Sequence, residues 1–181
     1  MPSLTRFLPL LTLILTGCAS YQPVSDTPVR IGQPYKVRGV TYTPADQPAY
    51  DEVGYASYYG HESGNRTARG EKFRPGWISA AHPTLPLPSY VEVTDLASGR
   101  TVLVRVNDRG PFARGRIIDL SRGAAQLLGF KRQGHAAVRV RRADPPEKDR
   151  KRLRKGKPAS ERPPLTGEAL AAQRQRLTEP R

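Results

Sequence analysis

The stretch TVLVRVNDRGPF, residues 101–112, decides how this chain is read. Its first six residues are dominated by β-branched and aliphatic side chains, the composition of a buried strand. Asn107, Asp108 and Arg109 then set an amide, an acid and a guanidinium at the strand's end, and Gly110-Pro111 turns the chain. Asn, Asp, Gly and Pro all favour turns, so a plain turn accounts for them. A site in which a rigid strand delivers a reactive carboxyl to a loop accounts for them equally well.

Working outward, the neighbours of this strand are short strands too. Tyr90–Thr94 alternates cleanly, and the Ala97-Ser98-Gly99 turn joins it to 101–106 as a hairpin. Gly54–Tyr59 precedes them. Arg116–Leu120 and His135–Val140 follow. Between those two, Ser121 reads as the N-cap of a short helix with Ala124, Ala125, Leu127 and Leu128 on its apolar side and Gly129 past its end. Many short strands with one or two short helices predict a mainly β fold, a small closed barrel. The compact part runs over 53–142, about 90 residues, enough for a single core.

Both ends differ from this middle. The chain has 181 residues, with 30 Lys+Arg against 16 Asp+Glu. Residues 1–17 read as a signal peptide, because the apolar run after Arg6 is too short to span a bilayer. Leu15-Thr16-Gly17-Cys18 resembles a bacterial lipobox, with Cys18 as the lipidated first residue of the mature protein. Cys18 is also the single Cys, which excludes an intrachain disulfide and a Cys-based metal site. By resemblance to lipoprotein sorting rules, Ala19 favours an outer-membrane anchor facing the periplasm. Residues 18–52, rich in Pro, read as a linker with a possible hairpin, Tyr35-Lys36-Val37 and Val40-Thr41-Tyr42 around Arg38-Gly39. From 143 to 181 the chain is basic and poor in large apolar residues, and is expected to be disordered. A basic tract suggests nucleic acid, but export and the lack of aromatic residues in the tail argue against it. A solvated tail, or one lying on anionic lipid or wall polymer, fits better.

The candidate chemistry lies in three loops. Glu71 sits in the Gly-rich segment 61–73, His82 in the apolar segment 77–91, and Asp108 ends the strand that opened this reading. Two acids and a histidine converging at one barrel mouth would make a site. Each alone has an ordinary structural role: a solvated acid, a hydrogen-bonded histidine, a turn cap. Asp119 has the strongest structural reading, since it precedes a helix whose free N–H groups it can accept from. Three His without a second Cys give no metal-ligand spacing, so neither a metal nor another cofactor is expected.

The segments RTARGEKF, AAHPTLPLPS and VRVNDRGPF, with GYASYYG before and GRIIDLSRGAAQLLGF after them, resemble the rare lipoprotein A (RlpA) family closely, over roughly residues 33–142. The resemblance implies a six-stranded double-psi β-barrel and a peptidoglycan lytic transglycosylase that prefers peptide-free glycan strands; the protein is expected to be a monomer. By motif it places the catalytic acid at Asp108, with Glu71 and His82 beside it. Tyr58, Tyr59, Thr67, Asn107, Arg109 and Phe112 are the implied substrate-binding residues. The sequence departs from the family pattern at Tyr58, where Trp is usual, and at Arg69, where Asn is usual. The SPOR domain that follows the barrel in many members is not found here. One carboxyl with a raised pKa suffices for such a reaction, first as acid and then as base. Hydrolysis usually needs a second carboxyl across the groove. Two alternatives therefore stand beside it: a non-catalytic, expansin-like glycan-binding lipoprotein, and a glycan hydrolase on the same barrel.

Overall fold

The computed structural model describes residues 24–60 and 64–179. The signal segment 1–17 and the lipidation motif at Cys18 lie outside the described residues. The Pro-rich segment carries the expected hairpin, β1 (Tyr35–Val37) and β2 (Val40–Tyr42). Arg38 and Gly39 turn it with φ of 48° and 86°, the left-handed pair that a tight two-residue hairpin needs.

Six strands close the barrel: β3 (Asp51–Tyr59), β4 (Ser79–Ala81), β5 (Ser89–Asp95), β6 (Thr101–Asp108), β7 (Arg116–Ser121) and β8 (His135–Ala143). Their order around it is β3-β7-β4-β6-β5-β8. Two pairs, β3 with β7 and β4 with β6, are parallel, and the other four are antiparallel. Closure with these two interlocked parallel pairs is the double-psi β-barrel. The hairpin of β5 and β6 stands as read from the sequence. The strand β4 was not legible. Ser-Ala-Ala carries no β-branched or aromatic residue, yet the three residues pair on both sides with β6 and β7.

The core is the inward row of these strands. Val91, Val93, Val104, Val106, Ile118, Leu120, Val138 and Val140 are fully buried. Their burial removes roughly 2 kcal/mol of unfavourable apolar exposure per side chain. The helix α1 (Arg122–Leu128) covers one end. Ser121 caps it, its Oγ accepting from Ala124 N at 3.2 Å, and Gly129 ends it with φ 106°.

The basic tail differs from its expected disorder. Residues 147–154 form α2 (Glu147–Arg154), and 167–178 form α3 (Gly167–Thr178). Composition averages over the tail and misses where its few leucines fall. Leu153 is fully buried in the main core, and Leu170 joins Val53 and Leu96 in a second cluster. Acids supply the rest. Arg162 pairs with Glu92 of β5 and with buried Asp149, and Arg154 pairs with Asp26. Leu165 exchanges a backbone hydrogen bond with Gly99 at 2.8 Å, so close that any Cβ on Gly99 would strike the Leu165 carbonyl.

Candidate active site

Asp108 is the last residue of β6, and the strand changes register just before it. Ala80 pairs with Val106, but Ala81 pairs with Asp108, so Asn107 is an extra residue on the β6 side. A bulge of this kind re-aims the side chain that follows it. Asp108 is thereby set in one row with Ala81. Ala81 is also the register partner of Asp119 on β7. Register partners share a face, so the two acids flank Ala81, two strand spacings or about 9.5 Å apart along the backbone.

Between them opens a cleft of about 400 Å³. Asp108, Asp119, Ala81 and Tyr59 form its centre. Arg109 through Ala113, Arg116, Arg66 and, from the hairpin, Val37 and Arg38 form its sides. Tyr59 stacks on Phe73 at 4.7 Å between ring centres. Burial pushes its phenol well up, and the charges of Asp108 and Asp119 push it further. Tyr59 thus lines the cleft together with both acids. Phe112 stands at the rim, edge-on to Tyr35 and Tyr42, which stack on each other at 5.4 Å.

The hydrogen bonds of Asp108 divide its two oxygens. Oδ1 accepts from Ala68 N at 2.7 Å and from Arg109 N at 2.8 Å. Oδ2 has no hydrogen-bond partner among the described residues, and the residue lines the cleft. Burial raises the Asp108 pKa above the ordinary range; the two backbone donors and Arg109 only partly offset it, and Glu71 adds a small upward push. Arg109 turns away from the carboxyl. Its guanidinium donates to the carbonyls of His82, Leu85 and Ile31, the last at 2.8 Å. Asp119 is likewise raised, by burial first, against the pull of Arg116. Arg116 Nε lies 3.2 Å from Asp119 Oδ1. The helix cap that the sequence offered Asp119 is filled by Ser121 instead.

Glu71 does not line the cleft. Arg105 grips it with two parallel donors, each at 2.8 Å, and Asn107 donates to it at 2.7 Å. Arg105, 2% exposed, also reaches Asp26 Oδ1 at 3.0 Å. Glu71 thus fastens the loop 66–72 to β6. Thr67 lies buried in the turn of that loop, whose next residue, Ala68, supplies the amide that holds Asp108.

His82 lies behind the cleft, 1% exposed. Its Nδ1 accepts from Thr84 N at 3.2 Å and Leu85 N at 3.0 Å, and its ring meets Tyr50 edge-on at 4.9 Å. Burial, then Arg109, depresses its pKa from 6.5 to about 3. It is a neutral imidazole that shapes the 82–85 turn, and the backbone N–H of the same residue donates to Asp108 O at 3.0 Å. Tyr58 packs on the core beside Phe130 rather than in the cleft. Of the residues read from the sequence, the structure brings Asp108, Tyr59, Arg109 and Phe112 to the cleft and sets Glu71, His82, Thr67, Asn107 and Tyr58 around it.

Asp119, Arg116 and Arg38 were not legible as cleft residues. The pairing of β4 with β7 and the docking of the β1–β2 hairpin join segments far apart in the chain, and no local pattern shows them.

Comparison with known proteins places this geometry. Residues 51–140 match the family described as lytic transglycolase. The barrel is an RlpA-family domain. Among proteins named endolytic peptidoglycan transglycosylase RlpA, that of Neisseria meningitidis serogroup A is 44% identical over 153 residues, covering 79% of this chain and 64% of its own length. That of Pseudomonas aeruginosa is 54% identical over 114 residues, covering 62% of this chain and 33% of its own. The chain therefore spans between a third and two thirds of these RlpA relatives. Among solved structures, a Streptomyces papain inhibitor is 24% identical with a TM-score of 0.46, covering 55% of this chain and all of that one. A Clavibacter michiganensis expansin is 20% identical with a TM-score of 0.44, covering 54% of this chain and 52% of that one.

Proposed function

We propose that this RlpA-family barrel is a peptidoglycan lytic transglycosylase. It cleaves the β-1,4 bond between N-acetylmuramic acid and N-acetylglucosamine and leaves a 1,6-anhydro-muramic end. The observation that carries the reading is the split environment of Asp108: one oxygen fixed by two backbone amides, the other free at a cleft, and a raised pKa. Such a carboxyl holds its proton where an ordinary aspartate has lost it. It donates that proton to the departing glycosidic oxygen. The resulting carboxylate then takes the proton from the muramic C6 hydroxyl as that oxygen closes on C1. No water enters. Asp119, facing the same space, stabilises the positive charge that develops at C1. Phe112 and the Tyr35/Tyr42 pair offer apolar faces for sugar rings. The names of the relatives support the same substrate.

A second reading rests on Asp119. Carboxyls about 6.5–9.5 Å apart suit inverting hydrolysis, with water activated by the second acid. The backbone spacing of Asp108 and Asp119 permits it. The product separates the two. Incubating the whole mature protein with sacculi and analysing soluble fragments by mass spectrometry should give 1,6-anhydro ends. Reducing ends would establish the hydrolase. Asp108→Asn should lower product release by at least about a hundredfold, the lower end for loss of a general acid, with an unchanged melting profile. Retained release would remove Asp108 from the chemistry. Asp119→Asn should lower turnover less under transglycosylation than under hydrolysis, where it would be the base.

A lipid on Cys18 would hold the protein on the outer membrane, with the barrel as a monomer in the periplasm. Labelling with a radioactive fatty acid, lost on Cys18→Ala, tests the anchor.

A further inference from the structure

Four cations of α2 take no part in holding the tail to the barrel. Lys148, Lys151 and Arg152, with Lys155 at the C-cap, recur at the spacing of one helical face, and all four are exposed. The other side of the helix carries Asp149 and Leu153, both buried. The three lysine side chains have no ion-pair or hydrogen-bond partner among the described residues, and Arg152 gives only its Nε, to the Pro158 carbonyl at 2.6 Å. The acids of this region are already engaged: Asp144 with Arg150, Glu147 with Arg154, and Asp149 with Arg162. The row therefore keeps its charge.

The helix beneath the row is fixed. Leu153 is buried in the main core, and the Trp77 ring lies so close to Gly156, just past the helix, that any Cβ there would strike it. Its place relative to the lipidation motif follows from Asp26. That carboxylate pairs with Arg154 of α2 and with Arg105 of β6. Cys18 lies eight positions earlier in the chain, a reach of at most about 28 Å. In the other direction the chain follows β6 from Arg105 to Arg109, which donates to the Ile31 carbonyl at 2.8 Å. None of the four cations lines the cleft.

We propose that this face of α2 is a membrane-contact surface, lying on anionic lipid headgroups beside the anchor. The inference rests on the reading of Cys18 as a lipidated residue and adds to it a second contact, made by the folded domain. A lipid on Cys18 tethers the barrel without orienting it. A basic face seated on the same leaflet sets which side of the barrel meets the membrane. Outward cations with no free acid among them suit a plane of phosphates. The row has no aromatic ring on which a sugar or base would stack, and it stands on the outward side of a helix, whereas a charged polymer is held in a groove.

The test measures binding of the whole mature chain, carrying Cys18→Ala so that no lipid masks the contact, to two kinds of vesicle. One is phosphatidylcholine alone and the other is phosphatidylcholine mixed with phosphatidylglycerol. The mixed vesicles should bind the protein and the neutral ones should not, and high salt should release it. Each cation near an anionic leaflet is worth about fivefold in binding. Lys148→Gln, Lys151→Gln and Lys155→Gln together should therefore weaken binding about a hundredfold, whereas Lys→Arg at the same three positions should keep it. Arg122→Gln, Lys131→Gln and Arg132→Gln, around α1, remove the same charge elsewhere and should cost only a few-fold. Urea unfolding of both triple variants should match the parent chain. Equal binding to the two vesicles overturns the surface. So does an equal loss in the two triple variants, which would mean net charge alone. If the α2 variant loses affinity for lipid-free sacculi and none for vesicles, the face belongs to the wall polymer and the lipid assignment falls. Fatty-acid labelling of the chain with Cys18 intact is read separately. Label with no discrimination between vesicles leaves the anchor and removes the surface. Discrimination without label leaves the surface and removes the anchor.

Discussion

Acidification should unfold this protein through His82, and the size of the effect follows from its burial. The imidazole is 1% exposed, accepts two backbone N–H groups at Nδ1, and has Arg109 as its nearest charge effect. Its folded pKa is depressed to about 3 from 6.5. Protons therefore bind the unfolded chain more readily throughout that window. The stabilisation by neutral His82 is complete above about pH 6.5 and is lost as pH falls toward about 3. The slope approaches about 1.4 kcal/mol per pH unit below the unfolded pKa, so going from pH 7.5 to 4.5 should remove about 2.7 kcal/mol. Asp108 and Asp119, whose pKa values are raised, act with the opposite sign: below their folded pKa the folded state gains the extra protons. The clean measurement is thus a difference. Urea unfolding of the wild type and of His82→Gln, followed from pH 7.5 to 4.5, cancels the shared carboxylates. Gln can accept the Thr84 and Leu85 N–H groups and cannot titrate. The stability gap between the two proteins should shrink in favour of the variant by about 2.7 kcal/mol over that range. A gap constant with pH would refute the argument, whatever its size at neutrality.

Arg105→Met should destabilise by about 3–5 kcal/mol, because it removes the cation that Glu71 is paired with and one of the two that Asp26 is paired with, where both acids are largely withdrawn from water; urea unfolding reads it. Leu153→Ala should cost about 2–5 kcal/mol, the range for emptying a packed leucine site, and the same measurement would show no change if the tail were a detached chain. Turnover should persist to higher pH than an ordinary carboxylic acid allows and fall on the alkaline side as Asp108 loses its proton. A pH–rate profile already falling above the ordinary aspartate range would contradict that.

What the sequence disclosed and withheld follows from how far each signal reaches along the chain. The strand 101–106, the β5–β6 hairpin and the Ser121 cap are written in neighbouring residues, and they stand in the structure. The family motifs carried the fold and placed Asp108. Three features needed contacts between distant segments. β4 is three small residues made a strand by partners on both sides. The tail is held by single leucines and by acids of the barrel and of the segment before it. Asp119 becomes a cleft residue through pairing with Ala81, whereas its immediate neighbours suggest a helix cap. His82 and Glu71 were read as catalytic partners of Asp108, whereas the structure engages them away from the cleft: two backbone amides hold one and an arginine fork holds the other.

Ala81 has a consequence for how such a cleft can change. Both acids are measured from the same methyl group, one strand to either side. Their separation is a property of hydrogen-bonded backbone, and loop motion does not set it. A ligand that opened the rim at Phe112 or shifted the hairpin would leave the gap between the two acids unaltered. The floor of that gap is a single Cβ, so Val or Leu at position 81 would fill the reaction space while leaving every charged group in place. The methyl group paired with both acids thus acts as the cleft's gauge: it limits the size of what passes between them, and no rearrangement of the arginines around it can compensate.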